Sequence, residues 1–313
     1  MIAGVRAKKI MPILYSVVLV LFAANFLLGL NPVVNLVQSQ FLSGNTAQMH
    51  SQGVEAGRVI PTPPISKGLM LPAVTAAGVY VSDLDTGYVF YVKDPDKRVP
   101  IASTTKVMTA LVAAEYYQPN DVLQVYALPP YSGSNMGLKV GEKLTFRSLL
   151  YGMMLNSGND AAYALAQNYP GGVSRFIEAM NEKVSQLGLA NTHFDNPAGF
   201  DNPNHYSSAA DLARIAAVTY ANPQLARVVG TKQTEVASLD KTSVHVLHNL
   251  NKLLNIPGVL GIKTGFTPQA KENLIGLKET NKHKILTVVL GSDDRFGETE
   301  YLMNWVESNF SWQ

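Results

Sequence analysis

The 313-residue sequence contains no cysteine, which excludes disulfide bonds, a cysteine nucleophile, thiolate-bound zinc and cysteine-held iron–sulfur clusters. Charged residues are also scarce, at 15% of the total. Soluble domains usually carry about 25%, so the shortage favours the presence of a membrane segment. The charges nearly cancel, with 25 basic and 23 acidic side chains. This balance argues against a nucleic-acid partner that is bound through a basic surface.

Several common site motifs are absent as well. The sequence has no Gly-x-x-x-x-Gly-Lys-Ser/Thr, no Gly-x-Gly-x-x-Gly, no His-Glu-x-x-His and no Gly-x-Ser-x-Gly. Its six histidines lack the spacing of metal ligands. We therefore expect neither a metal site nor another cofactor.

The N-terminal part contains a long uncharged run. Residues 10–30 carry no charge, and Arg6, Lys8 and Lys9 precede them. As a helix this run would span about 31 Å, enough to cross the hydrocarbon core of a membrane. Basic residues before a span place the N-terminus in the cytoplasm. The pattern predicts a cytoplasmic stub at 1–9, a transmembrane signal-anchor at 10–30 and an extracytoplasmic remainder; a cleaved signal peptide, followed by secretion, is the alternative.

The rest of the chain divides into a linker and one domain. Residues 31–72 are rich in Gln, Ser, Asn and Gly and end among four prolines, which predicts a flexible linker. From residue 73 to 313 the pattern predicts a hairpin at 74–93, then helices, then strands between 232 and 291 and a closing helix at 298–310. The helical stretches are expected at about 104–117, 146–155, 159–168, 173–187 and from 207 to just before 222. Strands at both ends with helices between them predict an α+β domain.

A serine and a lysine stand three positions apart in Ser103-Thr104-Thr105-Lys106, near the start of a predicted helix. Residues i and i+3 share a helix face, so the amine can lie beside the hydroxyl. A serine hydroxyl needs an adjacent base to become a good nucleophile. A lysine can be that base only where burial, nearby positive charge or the helix N-terminus destabilises its ammonium form. Alone the motif is a weak signal, and the alternative is a helix-capping serine with a solvated lysine one turn later.

The second motif, Ser157-Gly158-Asn159, lies between two predicted helices. It offers a second hydroxyl for proton relay and an amide that can hold a substrate carbonyl. Serine and asparagine are also ordinary caps in such a turn, so both interpretations stay open.

The third motif, Lys263-Thr264-Gly265, lies in a predicted strand. A cation and a hydroxyl on one strand could hold an anionic substrate. Glycines at 261 and 265 indicate that another group approaches the strand backbone closely. The alternative is a strand edge with a solvated lysine.

Taken together and in this order, the three motifs resemble those of penicillin-binding proteins and β-lactamases. The surrounding residues narrow the resemblance to the low-molecular-mass penicillin-binding proteins that are D-alanyl-D-alanine carboxypeptidases, through the segments 100–110, 157–162, 196–200, 207–213 and 249–254. The resemblance covers residues 73–311 and makes 73–313 a D,D-peptidase catalytic domain. It implies a β-lactamase-like α+β fold, in which helices flank an antiparallel five-stranded sheet and an all-helical part lies beside it.

The resemblance also implies an activity. The enzyme would be a serine-type carboxypeptidase that removes the terminal D-Ala from peptidoglycan stem pentapeptides, with a part in peptidoglycan remodelling and cell-shape maintenance. β-Lactams would inhibit it covalently.

The resemblance assigns a role to each motif residue. Ser103 would form the acyl-ester, Lys106 would be the general base and Ser157 would relay a proton. The remaining positions would be the substrate-binding Asn159, Lys263, Thr264 and Gly265, and the oxyanion-hole N–H groups of Ser103 and Phe266.

The sequence departs from the family in one place near the third motif. Relatives usually have Ala-Gly where this chain has Ala270-Lys271, which we expect to change the wall of the cleft and not the catalytic positions. A D,D-endopeptidase that cuts cross-links is the close alternative. A β-lactamase is less favoured, because the chain lacks a Glu-x-x-Leu-Asn element. The complete motif set argues against a catalytically silent wall-binding module.

Overall fold

The computed structural model describes residues 63–131 and 133–312. The predicted stub, the predicted anchor and most of the predicted linker lie outside these ranges. In chain order the strands are β1 Ile65–Ser66, β2 Gly78–Asp83, β3 Val89–Lys93, β4 Val122–Gln124, β5 Lys143–Thr145, β6 Gln233–Ala237, β7 Val244–His248, β8 Val259–Thr267, β9 Lys271–Thr280, β10 His283–Ser292 and β11 Phe310–Ser311. The α-helices are α1 Lys106–Tyr116, α2 Phe146–Leu155, α3 Asn159–Asn168, α4 Gly172–Gln186, α5 Ala209–Ala221, α6 Pro223–Val229 and α7 Arg295–Asn309.

Five antiparallel strands in the order β3-β2-β10-β9-β8 form the central sheet. The middle strand β10 is buried at every position from 285 to 290, so both faces of the sheet are covered. Strand β8 lies at one edge and pairs only with β9 inside this sheet. The third motif therefore lies on an edge strand, where one side of the backbone can face a ligand.

Helices cover the two faces of the sheet. Alternate side chains of a strand point to opposite faces, and Leu286 and Val288 of β10 belong to the large cluster formed with the helices between α1 and α6. Ile285 and Val289 belong to a second cluster that includes Val306 of α7. Helix α7 therefore covers one face, and the helical part of the chain packs on the other.

The observed architecture confirms the predicted α+β fold and its five-stranded antiparallel sheet. Helices α2 and α3 have the predicted bounds, and α1 begins at Lys106 after a short 3-10 helix at Ala102–Thr105. No helix in the part of the chain that the structure describes is long and apolar enough to cross a membrane.

The sequence missed several small elements. Strands β4 and β5 have three residues each, too few to show a period. Strand β7 has valines, Val244 and Val246, at exposed positions. It therefore lacks the alternation of polar and apolar residues that predicts a strand. Asn222-Pro223 was predicted to end a helix, but the Asn222 side chain also caps α6, whose first residue is Pro223.

The segment before residue 73, predicted as linker, contacts the domain. Strand β1 pairs with β11, Leu69 N donates to Asn309 Oδ1 at 2.9 Å, and Trp305 Nε1 donates to Met70 O at 2.8 Å. The domain therefore begins before residue 73. The partners of this segment lie in α7 and β11, far along the chain, so the composition of the segment itself could not reveal the contacts.

Candidate active site

Ser103 lies in the 3-10 helix that leads into α1. Thr104 Oγ1 donates to Ile101 O at 2.6 Å and Thr105 Oγ1 donates to Ala102 O at 2.8 Å. Ala102 has φ +47°, in the left-handed region that non-glycine residues rarely adopt. No side-chain hydrogen bond caps this 3-10 helix or α1, so Ser103 is not the helix-capping serine of the alternative interpretation. The two threonines hold the turn that presents the Ser103 hydroxyl.

The Lys106 amine is fully buried and has three oxygen neighbours. Nζ lies 2.9 Å from Ser103 Oγ, 2.8 Å from Asn159 Oδ1 and 2.6 Å from Ala198 O. An amide oxygen and a carbonyl oxygen can only accept, whereas a hydroxyl can also donate. A neutral amine would give its two N–H bonds to Asn159 and Ala198, and its lone pair would then face the Ser103 hydroxyl. This is the arrangement of a general base and its nucleophile.

The surroundings of Lys106 favour that neutral form. Burial, and then the positive charge of Lys263, hold the pKa of Lys106 well below its usual range, while Asp160 acts in the opposite direction. Removing an ammonium from water costs more than removing a neutral amine, so a buried lysine loses its proton more easily. The geometry and the electrostatics agree on a lysine that can accept a proton.

Ser157 lies in the turn between α2 and α3, and Asn159 follows this turn. Both are buried, and Ser157 has φ +57°, a conformation that a serine adopts only where the surroundings hold it. Asn159 is the first residue of α3, and its backbone N–H donates to Ser134 O at 2.8 Å. The turn therefore brings the Asn159 amide to the Lys106 amine, with Ser157 two residues before it in the chain.

The Asp160 carboxylate fixes the neighbouring wall of the cleft. It accepts the backbone N–H groups of Met136, Gly137 and Leu138 at 3.0 to 3.1 Å. The carboxylate belongs to the first turn of α3, where a negative charge is stabilised by the helix dipole. This acidic side chain, which the sequence motif did not single out, attaches the 136–138 segment beside Asn159.

Gly265 explains why the third motif needs a glycine. A Cβ at this position would lie 3.0 Å from Ile101 O and 3.1 Å from Ser103 N and Thr104 N. The sequence predicted that something approaches this strand closely. The structure shows that the approaching group is the backbone of residues 101–105, the nucleophile turn, which carries Ser103.

The other two residues of the third motif lie on the same strand as Gly265, and Phe266 follows them. Lys263 and Thr264 are 2% and 4% exposed, whereas Phe266 is 58% exposed. Lys263 Nζ donates to Thr264 O at 3.1 Å and can donate two further hydrogen bonds. The solvated lysine of the alternative interpretation is therefore not observed.

Arg295 is a functional candidate that the sequence analysis missed. Its Nη1 donates to Gly265 O at 2.9 Å, and its buried Nε has no hydrogen-bond partner among the described residues. Burial and the Arg295 charge lower the pKa of Lys263 to about 7. Two basic side chains beside one edge strand are the groups that favour binding of an anion. Arg295 lies 30 positions after Gly265, in no motif, so only the fold brings the two together.

The structure thus brings Ser103, Lys106, Asn159 and Gly265 into contact, with Lys263 and Arg295 beside them. They form a hydroxyl with a base beside it, a buried amide, two cationic side chains and an edge strand whose backbone lies against the nucleophile turn. This combination suits acyl transfer through a covalent serine intermediate. The other predicted residues are chain neighbours of these: Ser157 and Thr264 are buried, and Phe266 is exposed.

The comparison with protein families agrees with this geometry. The family described as D-alanyl-D-alanine carboxypeptidase matches residues 66–294. Curated relatives include a D-alanyl-D-alanine carboxypeptidase of a Streptomyces species (strain K15), 35% identical over 271 residues that cover 80% of this chain and 92% of the relative. A D-alanyl-D-alanine endopeptidase of Pseudomonas aeruginosa is 35% identical over 262 residues, covering 81% and 84%.

Solved structures give the same result. The Streptomyces K15 DD-transpeptidase superposes with a TM-score of 0.72 at 35% identity, covering 77% of this chain and all of that one. A putative penicillin-binding protein homologue from Mycobacterium tuberculosis superposes with a TM-score of 0.71 at 30% identity, covering 78% and 95%.

Proposed function

The chain belongs to the D-alanyl-D-alanine carboxypeptidase family of serine peptidases, and on this premise we propose that it removes the terminal D-Ala from peptidoglycan stem pentapeptides through an acyl-enzyme on Ser103. The observation that carries the proposal is the 2.9 Å contact between Lys106 Nζ and Ser103 Oγ, made by an amine with no exposed surface.

The first half of the reaction forms the acyl-enzyme. Ser103 Oγ attacks the carbonyl carbon between the two terminal D-Ala residues while its proton passes to Lys106 Nζ. The backbone N–H groups of Ser103 and Phe266 stabilise the negative charge that develops on the carbonyl oxygen, and one such donor is typically worth about 3–4 kcal/mol. Ser157 relays the proton to the departing D-Ala nitrogen, while Asn159 holds the substrate amide. Water then hydrolyses the ester and releases Ser103.

The enzyme recognises its class of substrate by the free carboxylate at the C-terminus of the peptide. Lys263 and Thr264 bind it, Arg295 adds a second positive charge, and Gly265 leaves room for the nucleophile turn beside the strand. A carboxylate bound here raises the proton affinity of Lys263, because an opposite charge favours the charged form. The two lysines thus do different work: Lys106 acts as a neutral base and Lys263 as a cation that binds an anion.

Cleavage of peptidoglycan cross-links is a second candidate, since one 35% identical relative carries the name endopeptidase. The chemistry at Ser103 is the same for both activities, and the substrates differ on the leaving-group side. Incubation with a stem pentapeptide and with a cross-linked dimer separates them, by release of D-Ala or by cleavage of the dimer. We expect D-Ala release to be the faster reaction.

We predict that a labelled penicillin forms a stoichiometric adduct on Ser103, because a β-lactam presents the same carbonyl and carboxylate as the D-Ala-D-Ala end. Peptide mapping of the labelled chain is the measurement. Ser103→Ala should abolish both the adduct and D-Ala release, and Ser185→Ala, an exposed serine on α4, should change neither. A label on another residue, or a labelled Ser103→Ala variant, would show that the mechanism is wrong.

We predict that kcat/KM for a peptide with a free D-Ala carboxylate falls as the pH rises through about 7. The pKa of Lys263 is about 7 in the free protein, and kcat/KM reports groups of the free enzyme. Above this pH the neutral amine no longer attracts the carboxylate. The same peptide with a C-terminal amide lacks the contact and should lack this alkaline decline.

The variant Lys263→Ala tests the same assignment. For the peptide with a free C-terminal carboxylate, it should lower kcat/KM by about 10- to 100-fold, because a hydrogen bond between charged groups is lost. For the same peptide with a C-terminal amide, it should lower kcat/KM much less. Lys284→Ala, which removes a partly exposed lysine paired with Asp85, is the control. Equal losses for acid and amide would instead place Lys263 in the proton-transfer network.

We also propose that residues 10–30 anchor the chain in the cytoplasmic membrane, with the N-terminus inside and the catalytic domain outside. The uncharged run and the basic residues before it support this. We expect the protein in the membrane fraction, with its original N-terminus intact. A soluble extracytoplasmic form that begins near residue 31 or later would contradict the anchor while leaving export in place.

A further inference from the structure

His205 is a buried histidine that the reaction steps above do not use. It is 2% exposed and lies between the nucleophile turn and the segment 195–200. Its Nε2 is 2.7 Å from Thr105 Oγ1, and its Nδ1 is 3.0 Å from the backbone nitrogen of Asp195. One imidazole ring therefore joins two parts of the chain that both contribute atoms to the active site.

The hydrogen bonds define the tautomer of this ring. A backbone N–H can only donate, so Nδ1 must accept from Asp195 and the ring proton is on Nε2. Nε2–H then donates to Thr105 Oγ1, whose own proton goes to Ala102 O at 2.8 Å. Burial, followed by the charges of His193 and Lys106, lowers the pKa of His205 to about 3, so the ring is neutral at any pH near 7.

The segment on the other side of the ring supplies a ligand of the catalytic amine. Asn196 Oδ1 accepts the backbone N–H groups of residues 198–200 at 3.1, 2.7 and 3.0 Å, which folds the chain back on itself. Asn196 Nδ2 lies 3.4 Å from His205 Nδ1. In this conformation Ala198 O points at Lys106 Nζ, 2.6 Å away.

The two joined segments also touch directly. A Cβ at Gly199 would lie 1.9 Å from Ala102 O, and Gly199 has φ +91°. Only a glycine can bring the two backbones this close. His205 bonds to both segments next to this contact, through Thr105 on one side and Asp195 on the other.

We propose that His205 is a positioning residue for acylation. It holds the 195–200 segment against the nucleophile turn, and this keeps Ala198 O within hydrogen-bond distance of the Lys106 amine. The lone pair of the amine therefore stays directed at Ser103. This inference rests on the proposed acyl-enzyme. If Ala198 O moved away, one amine N–H would lose its acceptor and the amine could rotate. Misplacement of a reacting group by about 1 Å can cost about 100-fold in rate.

Three substitutions separate the two hydrogen bonds of the ring. His205→Asn keeps an acceptor near the position of Nδ1, His205→Gln keeps a donor near the position of Nε2, and His205→Leu keeps neither. The measurement is the rate constant for acylation by a fluorescent penicillin across pH, together with the labelling stoichiometry at long times. We expect a loss of about 100-fold for the leucine variant and smaller losses for the two amides, with one label per chain eventually reached in each.

The pH profile distinguishes positioning from general stabilisation. The leucine variant loses both hydrogen bonds that hold the 195–200 segment. We expect water to replace Ala198 O at Lys106 and to raise the pKa of that lysine, so the acidic limb of the acylation rate should move to higher pH. Lys263 and Asp160, the charges that act on Lys106, are unchanged in this variant. His193→Gln, at an exposed ring whose Nδ1 is 2.6 Å from Asn204 O, is the control and should acylate as the parent does.

Acylation of His205→Leu within about threefold of the parent rate would overturn the proposal. The proposal would also be overturned if acylation were slower while the acidic limb stayed in place and the labelled fraction stayed below one. That combination is the behaviour of a partly unfolded protein. If the leucine variant does not fold, the asparagine and glutamine variants decide by the same two criteria. A parent chain that takes no label on Ser103 would instead refute the proposed function.

Discussion

The buried amine of Lys106 is the constraint on which the rest of the site depends. A charged ammonium at this depth would need a partner of opposite charge, and burial without one costs several kcal/mol. The chain surrounds the amine with a hydroxyl, an amide oxygen and a carbonyl oxygen. Because these three oxygens come from three separate segments, the position of one nitrogen atom ties together the nucleophile turn, α3 and the 195–200 segment.

The sheet provides the other half of the cleft. Strand β8 lies at its edge, and Gly265 lets that edge touch the turn that carries Ser103. Lys263 on the same strand is buried beside Arg295, and burial lowers the pKa of both lysines. A carboxylate bound beside Lys263 would favour the charged form of that lysine. A difference in proton affinity between two nearby lysines is how one site can hold a neutral base and a cation at the same pH.

The sequence predicted those parts of the site that depend on residues close together in the chain or on a recognisable motif. The spacing of Ser103 and Lys106 predicted their contact, and the glycine at 265 predicted a close approach to the strand. It could not identify Arg295, because its contact with Gly265 O depends on how α7 packs against the sheet. The contact of Ala198 with Lys106 could not be predicted either, because its functional group is a backbone carbonyl, which every residue type has. His205 gave no signal either, because a single buried histidine looks the same whether or not it supports a catalytic group.

The central claim is that Lys106 is neutral where exposed lysines are charged. It is tested most directly by nuclear magnetic resonance of the unliganded protein with 13C-labelled lysine Cε positions, followed across pH. The Lys106 signal is assigned by its loss in Lys106→Gln. We expect this signal to reach its neutral-amine position at a pH well below that of the exposed lysines, which titrate near 10.4. A Lys106 signal that titrates together with the exposed lysines would contradict it.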